Sequence, residues 1–154
     1  MSAVKPVPQG FHTVTPHLVI RGAADALGFY AKALGAEERF RMPGPDGKIV
    51  HAETQIGDSI IMLGEENPQM GAFSPKHLNG SAVTLMLYVN DVDAYFARAT
   101  KAGCQAQLPP TDMFWGDRYC KVSDPYGHNW AIATHKEDVA PEEMDRRMKK
   151  EFGA

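Results

Sequence analysis

The sequence predicts an α+β fold made of two tandem copies of one module, a strand followed by a helix and three strands. The first observation is a weak internal repeat, because a shift of 69 residues places Thr15 on Thr84 and keeps the elements in the same order. The second is a glycine, Gly35 or Gly103, at the position where each predicted helix should end. Together they indicate a duplicated unit.

The first module is assigned to about residues 11–64. Thr13–Ile20 is rich in β-branched residues and predicts a strand, in which Pro16 indicates an edge or bulge position. Apolar residues at helical spacing then predict a helix over Ala23–Leu34. The strands that follow are predicted over Glu37–Met42, Ile49–Ile56 and Ser59–Leu63.

The second module, about residues 81–135, is predicted to repeat this plan. Its helix begins after Asn90-Asp91 and carries an apolar stripe from Val92 to Ala102. The repeat predicts three strands after this helix, and the sequence gives bounds for two of them. The predicted strands are Val83–Val89, Arg118–Val122 and His128–Thr134. A linker over 65–80 separates the modules, and a C-terminal helix over Pro141–Phe152 is expected to dock on the flank of the domain.

Composition excludes several classes of protein. The chain is 44% hydrophobic and 23% charged, which suits one globular domain, and its net charge of −3 lacks the basic surplus of nucleic-acid or anionic-membrane binding. No apolar stretch approaches the roughly 20 residues that span a bilayer. Met1–Pro6 has no apolar core, so no signal peptide is predicted. We therefore expect a soluble, cytoplasmic protein without nucleic-acid or membrane partners.

Four motifs follow one another along the chain: Phe29-Tyr30, Leu34-Gly35, Asn90-Asp91 and Asp124-Pro125-Tyr126-Gly127-His128. In this order they resemble the vicinal oxygen chelate superfamily, which includes glyoxalase I, extradiol dioxygenases and bleomycin-resistance proteins. The resemblance covers roughly residues 11–138. Within the superfamily, His51-Ala52-Glu53, Phe114-Trp115-Gly116-Asp117-Arg118 and Trp130–His135 are similar to the PhnB-like branch.

The resemblance implies a curved mixed sheet around a cavity, with four metal ligands in metal-dependent members. These ligands come from the first and last strand of each module, and their positions fall on Thr15, Met62, Thr84 and Ala131. A protonated hydroxyl, a thioether and a methyl group do not chelate a hard divalent ion. We therefore expect no metal at these positions and no cofactor.

Three other polar residues leave an alternative open. His17 shares a strand face with Thr15, and His51 shares one with Glu53. These side chains either line the cavity, bonded to one another or to water, or form a non-standard metal site. His51 or Glu53 acting as an acid or base without metal is a further possibility. The remaining histidines are expected to be solvated in loops or at strand ends.

The predicted cavity offers flat aromatic surfaces in place of a metal. Trp115 is the strongest candidate because it lies in a polar turn and not in an apolar run. Arg118 has two open roles, pairing with Asp117 or a neighbouring chain, or binding an anionic ligand group. The predicted cavity thus comprises Thr15, His17, His51, Glu53, Met62, Thr84, Trp115, Arg118 and Ala131.

Two functional hypotheses follow from this site. The first is a metal-free protein of the bleomycin-resistance type, which sequesters or carries a small aromatic or hydrophobic molecule. The second is a metal-dependent lyase, isomerase or dioxygenase that uses His17, His51 and Glu53. In either case the resemblance implies a homodimer, and the 65–80 linker is long enough for modules to be exchanged between chains.

Overall fold

The computed structural model describes residues 4–153 and contains two compact units that divide between Ser81 and Ala82. The N-terminal unit contains a four-stranded sheet of order β1-β4-β3-β2. Its elements are β1 (His17–Ile20), α1 (Ala23–Leu34), β2 (Glu37–Pro43), β3 (Ile49–Ile56), β4 (Ser59–Glu65), a 3-10 turn (Pro68–Met70) and the short helix α2 (Pro75–Leu78).

The C-terminal unit repeats this plan in a second four-stranded sheet, of order β5-β8-β7-β6. Its elements are β5 (Thr84–Tyr88), α3 (Val92–Ala102), β6 (Gln105–Asp112), β7 (Asp117–Ser123), β8 (Asn129–His135) and α4 (Pro141–Phe152). In each sheet the first and last strands of the module pair in parallel and the other neighbours pair antiparallel. The predicted α+β fold of two strand–helix–three-strand modules is confirmed.

Helix α1 covers one face of the first sheet because its apolar positions recur at helical spacing. The Glu65 carboxylate accepts hydrogen bonds from the backbone N–H groups of Gly22 and Ala23, which are unsatisfied donors at the start of the helix. Gly35, at φ 67°, ends the helix in the left-handed conformation, as predicted. Leu27, Tyr30 and Leu34 are buried.

Helix α3 covers one face of the second sheet in the same way. The Asp91 carboxylate accepts from the Ala94 N–H, and the Thr134 hydroxyl accepts from the Val92 N–H. Beneath the helix lies the fully buried Trp130, whose Nε1–H donates to the Asp124 carboxylate at 2.9 Å. Each module therefore has one face closed by its helix; the opposite face is called here its open face.

The structure differs from the sequence-based prediction at three places. Strand β1 begins at His17 and not at Thr13, because Pro16 has no N–H for the ladder, although its carbonyl accepts from Met62. The predicted linker contains the 3-10 turn and α2, which begins after Ser74. Strand β6, left undelimited by the sequence, contains two prolines and is mostly exposed.

The C-terminal helix has the predicted bounds and attaches to the turn before β7. Arg147 donates to both oxygens of the Glu137 carboxylate at 2.8 Å and to the Phe114 carbonyl at 3.4 Å. The rings of Phe152 and Phe114 meet edge to face, with centroids 5.9 Å apart. Of the helices within residues 4–153, none is long and apolar enough to cross a membrane.

Candidate functional site

The open face of the first sheet brings together four of the predicted cavity residues. In the strand register, Met62 lies between His17 on β1 and Glu53 on β3, so the three side chains share one face. His51 joins them from two residues before Glu53. These four side chains form the polar cluster of the first sheet.

The polar cluster is held by contacts among its own members. The rings of His17 and His51 meet edge to face with centroids 5.7 Å apart, and His51 Nε2 lies 3.6 Å from Glu53 Oε1. Burial, and then the neighbouring His51, holds the pKa of His17 below its ordinary value, so His17 is neutral at pH 7. A cavity of about 660 Å³ opens beside His17, with Val19, Gly64 and Met70 in its lining.

Thr15 does not join this cluster. It precedes β1, and its hydroxyl donates to the His12 carbonyl at 3.3 Å. The β1 residue paired with Met62 is His17, which lies two positions after Thr15.

The open face of the second sheet carries two rows of side chains across its strands. In one row Ala131 on β8 lies between Met86 on β5 and Lys121 on β7. In the next, Ala133 lies between Tyr88 and Tyr119. The strip above the two small alanines of the central strand is called here the groove. Flanking side chains fill it, since Ala131 and Ala133 are buried and the Tyr88 hydroxyl reaches across to Asp117 on β7. Thr84 lies on the same face, two residues before Met86.

Trp115 extends the aromatic side of this groove. Its ring meets the Tyr119 ring edge to face at a centroid distance of 5.7 Å, and the Phe114 ring at 5.1 Å. The turn depends on Gly116, at φ 102°, because a Cβ there would lie 2.2 Å from the Glu137 carbonyl oxygen. Of the predicted cavity residues, Thr84 and Ala131 thus lie on the open face of the second sheet, and Trp115 lies beside it.

A buried carboxylate fixes the aromatic side chains. Asp117 Oδ2 accepts hydrogen bonds from the Tyr88 hydroxyl and from Trp115 Nε1–H, both at 3.1 Å. Asp117 Oδ1 lies 2.7 Å from His135 Nδ1, and His135 Nε2 lies 2.8 Å from Asp138. Hydrogen bonds to Asp138 and then Asp117 raise the pKa of His135, whereas the Asp117 carboxylate raises the pKa of the Tyr88 hydroxyl.

Sequence reasoning missed Tyr88, Lys121 and His135 as members of this face. The signal available for Tyr88 and Lys121 was strand alternation, which places both on the face of Ala131 once the register is known. His135 was expected to be solvated; it is half exposed, but both ring nitrogens face carboxylates.

Arg118 does not belong to this face. Alternation along β7 turns its side chain toward α3, where it donates to both Asp93 oxygens at 2.7 and 2.9 Å and to Asp112 at 3.2 Å. Of the roles left open for Arg118, pairing with Asp117 is therefore contradicted. With its donors directed at two carboxylates, the guanidinium does not supply an anion-binding group to the open face.

The residues at the four metal positions do not fit a metal. Met62 and Ala131 lie on the open faces of their sheets and offer a thioether and a methyl group. Within residues 4–153, no three His, Cys, Asp or Glu side chains converge in a way that would hold a metal ion, the polar cluster included. No chemical step is therefore assigned to a metal.

The two cysteines are poor nucleophiles. Both are buried and free, and burial raises the pKa of Cys104 to about 12 and that of Cys120 to about 11. Both thiols stay protonated at neutral pH, so neither supplies the thiolate that nucleophilic catalysis or metal binding needs.

Comparison with known families identifies the class of protein that this fold defines. The model of the Glyoxalase/Bleomycin resistance protein/Dioxygenase superfamily matches residues 10–132, and the chain belongs to that family. An uncharacterized protein of Mycobacterium bovis is 43% identical over 138 residues, covering 88% of this chain and 91% of its own. The family predicted from the sequence is confirmed.

Solved structures share the fold. TioX from Micromonospora is 27% identical with a TM-score of 0.66, over 80% of this chain and 98% of its own. The PhnB protein from Bacillus cereus, described as a putative 3-demethylubiquinone-9 3-methyltransferase, is 15% identical with a TM-score of 0.61, over 80% and 99%. TnmS3 from Streptomyces, described as an antibiotic binding protein, is 23% identical with a TM-score of 0.61, over 81% and 96%. The last two likenesses show the fold alone.

Proposed function

We propose that this protein binds a small aromatic or hydrophobic molecule on the open face of its second sheet, without a metal, and acts by sequestering or carrying it. The observation that carries this proposal is the aromatic surface of Tyr88, Tyr119 and Trp115, of which Tyr88 is 66% exposed. Aromatic rings on a rigid strand and turn offer flat contact area at little entropic cost.

The chemistry of the expected metal positions supports binding without a metal. Ala131, at one of these positions, offers a methyl group and no ligand atom. The antibiotic-binding TnmS3, which shares the fold, gives this use of the fold a precedent. The proposed role is therefore of the bleomycin-resistance type.

Fluorescence tests this proposal because the two tryptophans differ in exposure. Trp130 is fully buried, whereas Trp115 is half-buried on the groove side. In a screen of planar aromatic compounds, we expect quenching or a spectral shift in the wild-type protein that is lost in Trp115→Phe. A screen in which no planar compound changes the fluorescence, or one in which Trp115→Phe responds as the wild type does, would contradict the proposal.

A second candidate is a metal-dependent lyase, isomerase or dioxygenase with non-standard ligands, which would use His17, His51 and Glu53; within residues 4–153 these lie side by side but do not converge as a metal site. Thermal denaturation with Zn, Ni, Mn or Fe, with and without chelator, tests it. A metal-specific stabilisation that His51→Ala abolishes would support this candidate, and no response to any metal would exclude it.

We also propose a cytoplasmic homodimer. Phe40 and Met42 on the edge strand β2 are 49% and 45% exposed, and apolar side chains on a strand edge favour association. The free, buried cysteines suit a reducing compartment. Light scattering should give twice the 16.9 kDa chain mass; finding only the single-chain mass would refute the dimer. Cell fractionation tests the compartment.

A further inference from the structure

Lys121 occupies a distinctive position on the open face of the second sheet. It pairs with Ala131 and, along β7, lies two residues beyond Tyr119 on the same face. The Lys121 side chain therefore lies on the same face, one row from the aromatic pair Tyr88 and Tyr119. At about 3.3 Å per residue, the rows are about 7 Å apart.

The burial of Lys121 differs from that of every other lysine. All the others in the sequence are exposed, whereas Lys121 is half-buried. Partial burial of a lysine on a strand packs its stem on the sheet and keeps the ammonium near that face, where it attracts a negatively charged partner.

Such a partner is absent from the described chain. Within residues 4–153 the Lys121 side chain makes no hydrogen bond or ion pair. Nearby basic groups of the same unit do have carboxylate partners, since Arg118 is paired with Asp93 and Arg147 with Glu137. The three donors of the Lys121 ammonium are thus available to a bound molecule.

The repeat shows that the fold does not require a cation at this position. In the first sheet the β3 residue paired with Met62 is Glu53, just as the β7 residue paired with Ala131 in the second sheet is Lys121. Because the two modules carry opposite charges at one register position, the lysine is not needed to build the strand.

We propose that the bound molecule is an aromatic anion, whose ring packs against Tyr88 and Tyr119 and whose acidic group is bound by Lys121. This inference rests on the proposed function and specifies its ligand class. Lys121 is thus assigned the anion-binding role that the sequence analysis left open for Arg118.

The test compares two isosteric compounds, 2-naphthoate and its neutral amide 2-naphthamide, by isothermal titration calorimetry at pH 7.5. The wild-type protein should bind naphthoate about tenfold more tightly than naphthamide, the gain expected of one charged hydrogen bond at a half-buried site. Lys121→Met should remove this preference by lowering the naphthoate affinity to that of naphthamide, while Lys121→Arg should retain it. Lys101→Met, an exposed lysine on α3 of the same unit, is the matched control.

The outcomes separate the inference from the proposed function. Equal wild-type affinities for both compounds, or a naphthoate preference that survives in Lys121→Met, would overturn the inference and leave a neutral binder. If neither compound binds, the proposed function itself is contradicted for flat aromatics and the inference falls with it. Urea unfolding of each variant establishes that it is folded, and Lys121→Gln replaces Lys121→Met if the latter is not.

Discussion

Gly116 is required by the turn that presents Trp115. Its φ of 102° is strained for any residue with a Cβ, and a Cβ would lie 2.2 Å from the Glu137 carbonyl oxygen. Gly116→Ala must therefore both strain the backbone at this position and displace the backbone around Glu137. We expect it to lower the free energy of unfolding by about 3 kcal/mol, measured by urea denaturation.

Gly47 is the matched control for this substitution, since the repeat aligns it with Gly116. Its φ is 77°, but no atom lies within 4 Å of the place that a Cβ would occupy there. Gly47→Ala should therefore cost only the backbone strain, about 1 kcal/mol. Equal losses in the two variants would show that the close approach of Glu137 to Gly116 does not constrain the turn.

The pKa of His135 should lie above the ordinary histidine value and the pKa of His17 below it. The pKa of His135 is raised by Asp138 and Asp117, whereas that of His17 is lowered by burial and by His51. Proton NMR of the imidazole resonances across pH 4–9 measures both values. A His135 pKa at or below that of His17 would contradict the carboxylate contacts of the second sheet.

The raised pKa of His135 makes part of the stability pH-dependent. Because its folded-state pKa lies above the unfolded value near 6.5, this contribution is complete below that pH and is lost as the pH rises through the folded-state value. His135→Gln should therefore reduce the free energy of unfolding more at pH 5.5 than at pH 9. An equal loss at the two pH values would refute the assignment.

Helix α4 depends on its contacts with the rest of its unit, since an isolated helix of 12 residues is marginal in water. Arg147 provides the link through Glu137 and the Phe114 carbonyl. Arg147→Gln should raise amide hydrogen exchange across α4 while β7 and β8 stay protected. Arg146→Gln is the control because Arg146 bonds only to Glu143 within the helix; equal exchange in both variants would contradict docking through Arg147.

The elements whose bounds the sequence predicted correctly are determined by residues close to them in the chain. Helix α1 is bounded by its apolar spacing and by Gly35, and α4 by Pro141 at its start, so neighbouring residues determine both. Strand β6 is held by pairing with β7 and has no apolar alternation of its own. Its limits depend on a partner strand, which local patterning does not reveal.

At the scale of the whole molecule, the duplicated fold was predictable and the membership of the site was predictable only in part. His51 and Glu53 could be placed on one face by alternation alone. The assignment of Arg118 failed because its face depends on where β7 begins, and an error of one residue exchanges the two faces of a strand. The contacts of Asp117 join residues 29 and 18 positions apart, which spacing alone does not predict.

We propose that this chain binds a flat aromatic molecule without a metal. Calorimetry measures it most directly: a planar compound that responds in the fluorescence screen is titrated into chelator-treated protein, and again after addition of Zn, Ni, Mn or Fe. We expect the same affinity in every case, because Met62 and Ala131 offer no ligands at the metal positions. Binding that appears only with one of the metals would contradict the claim.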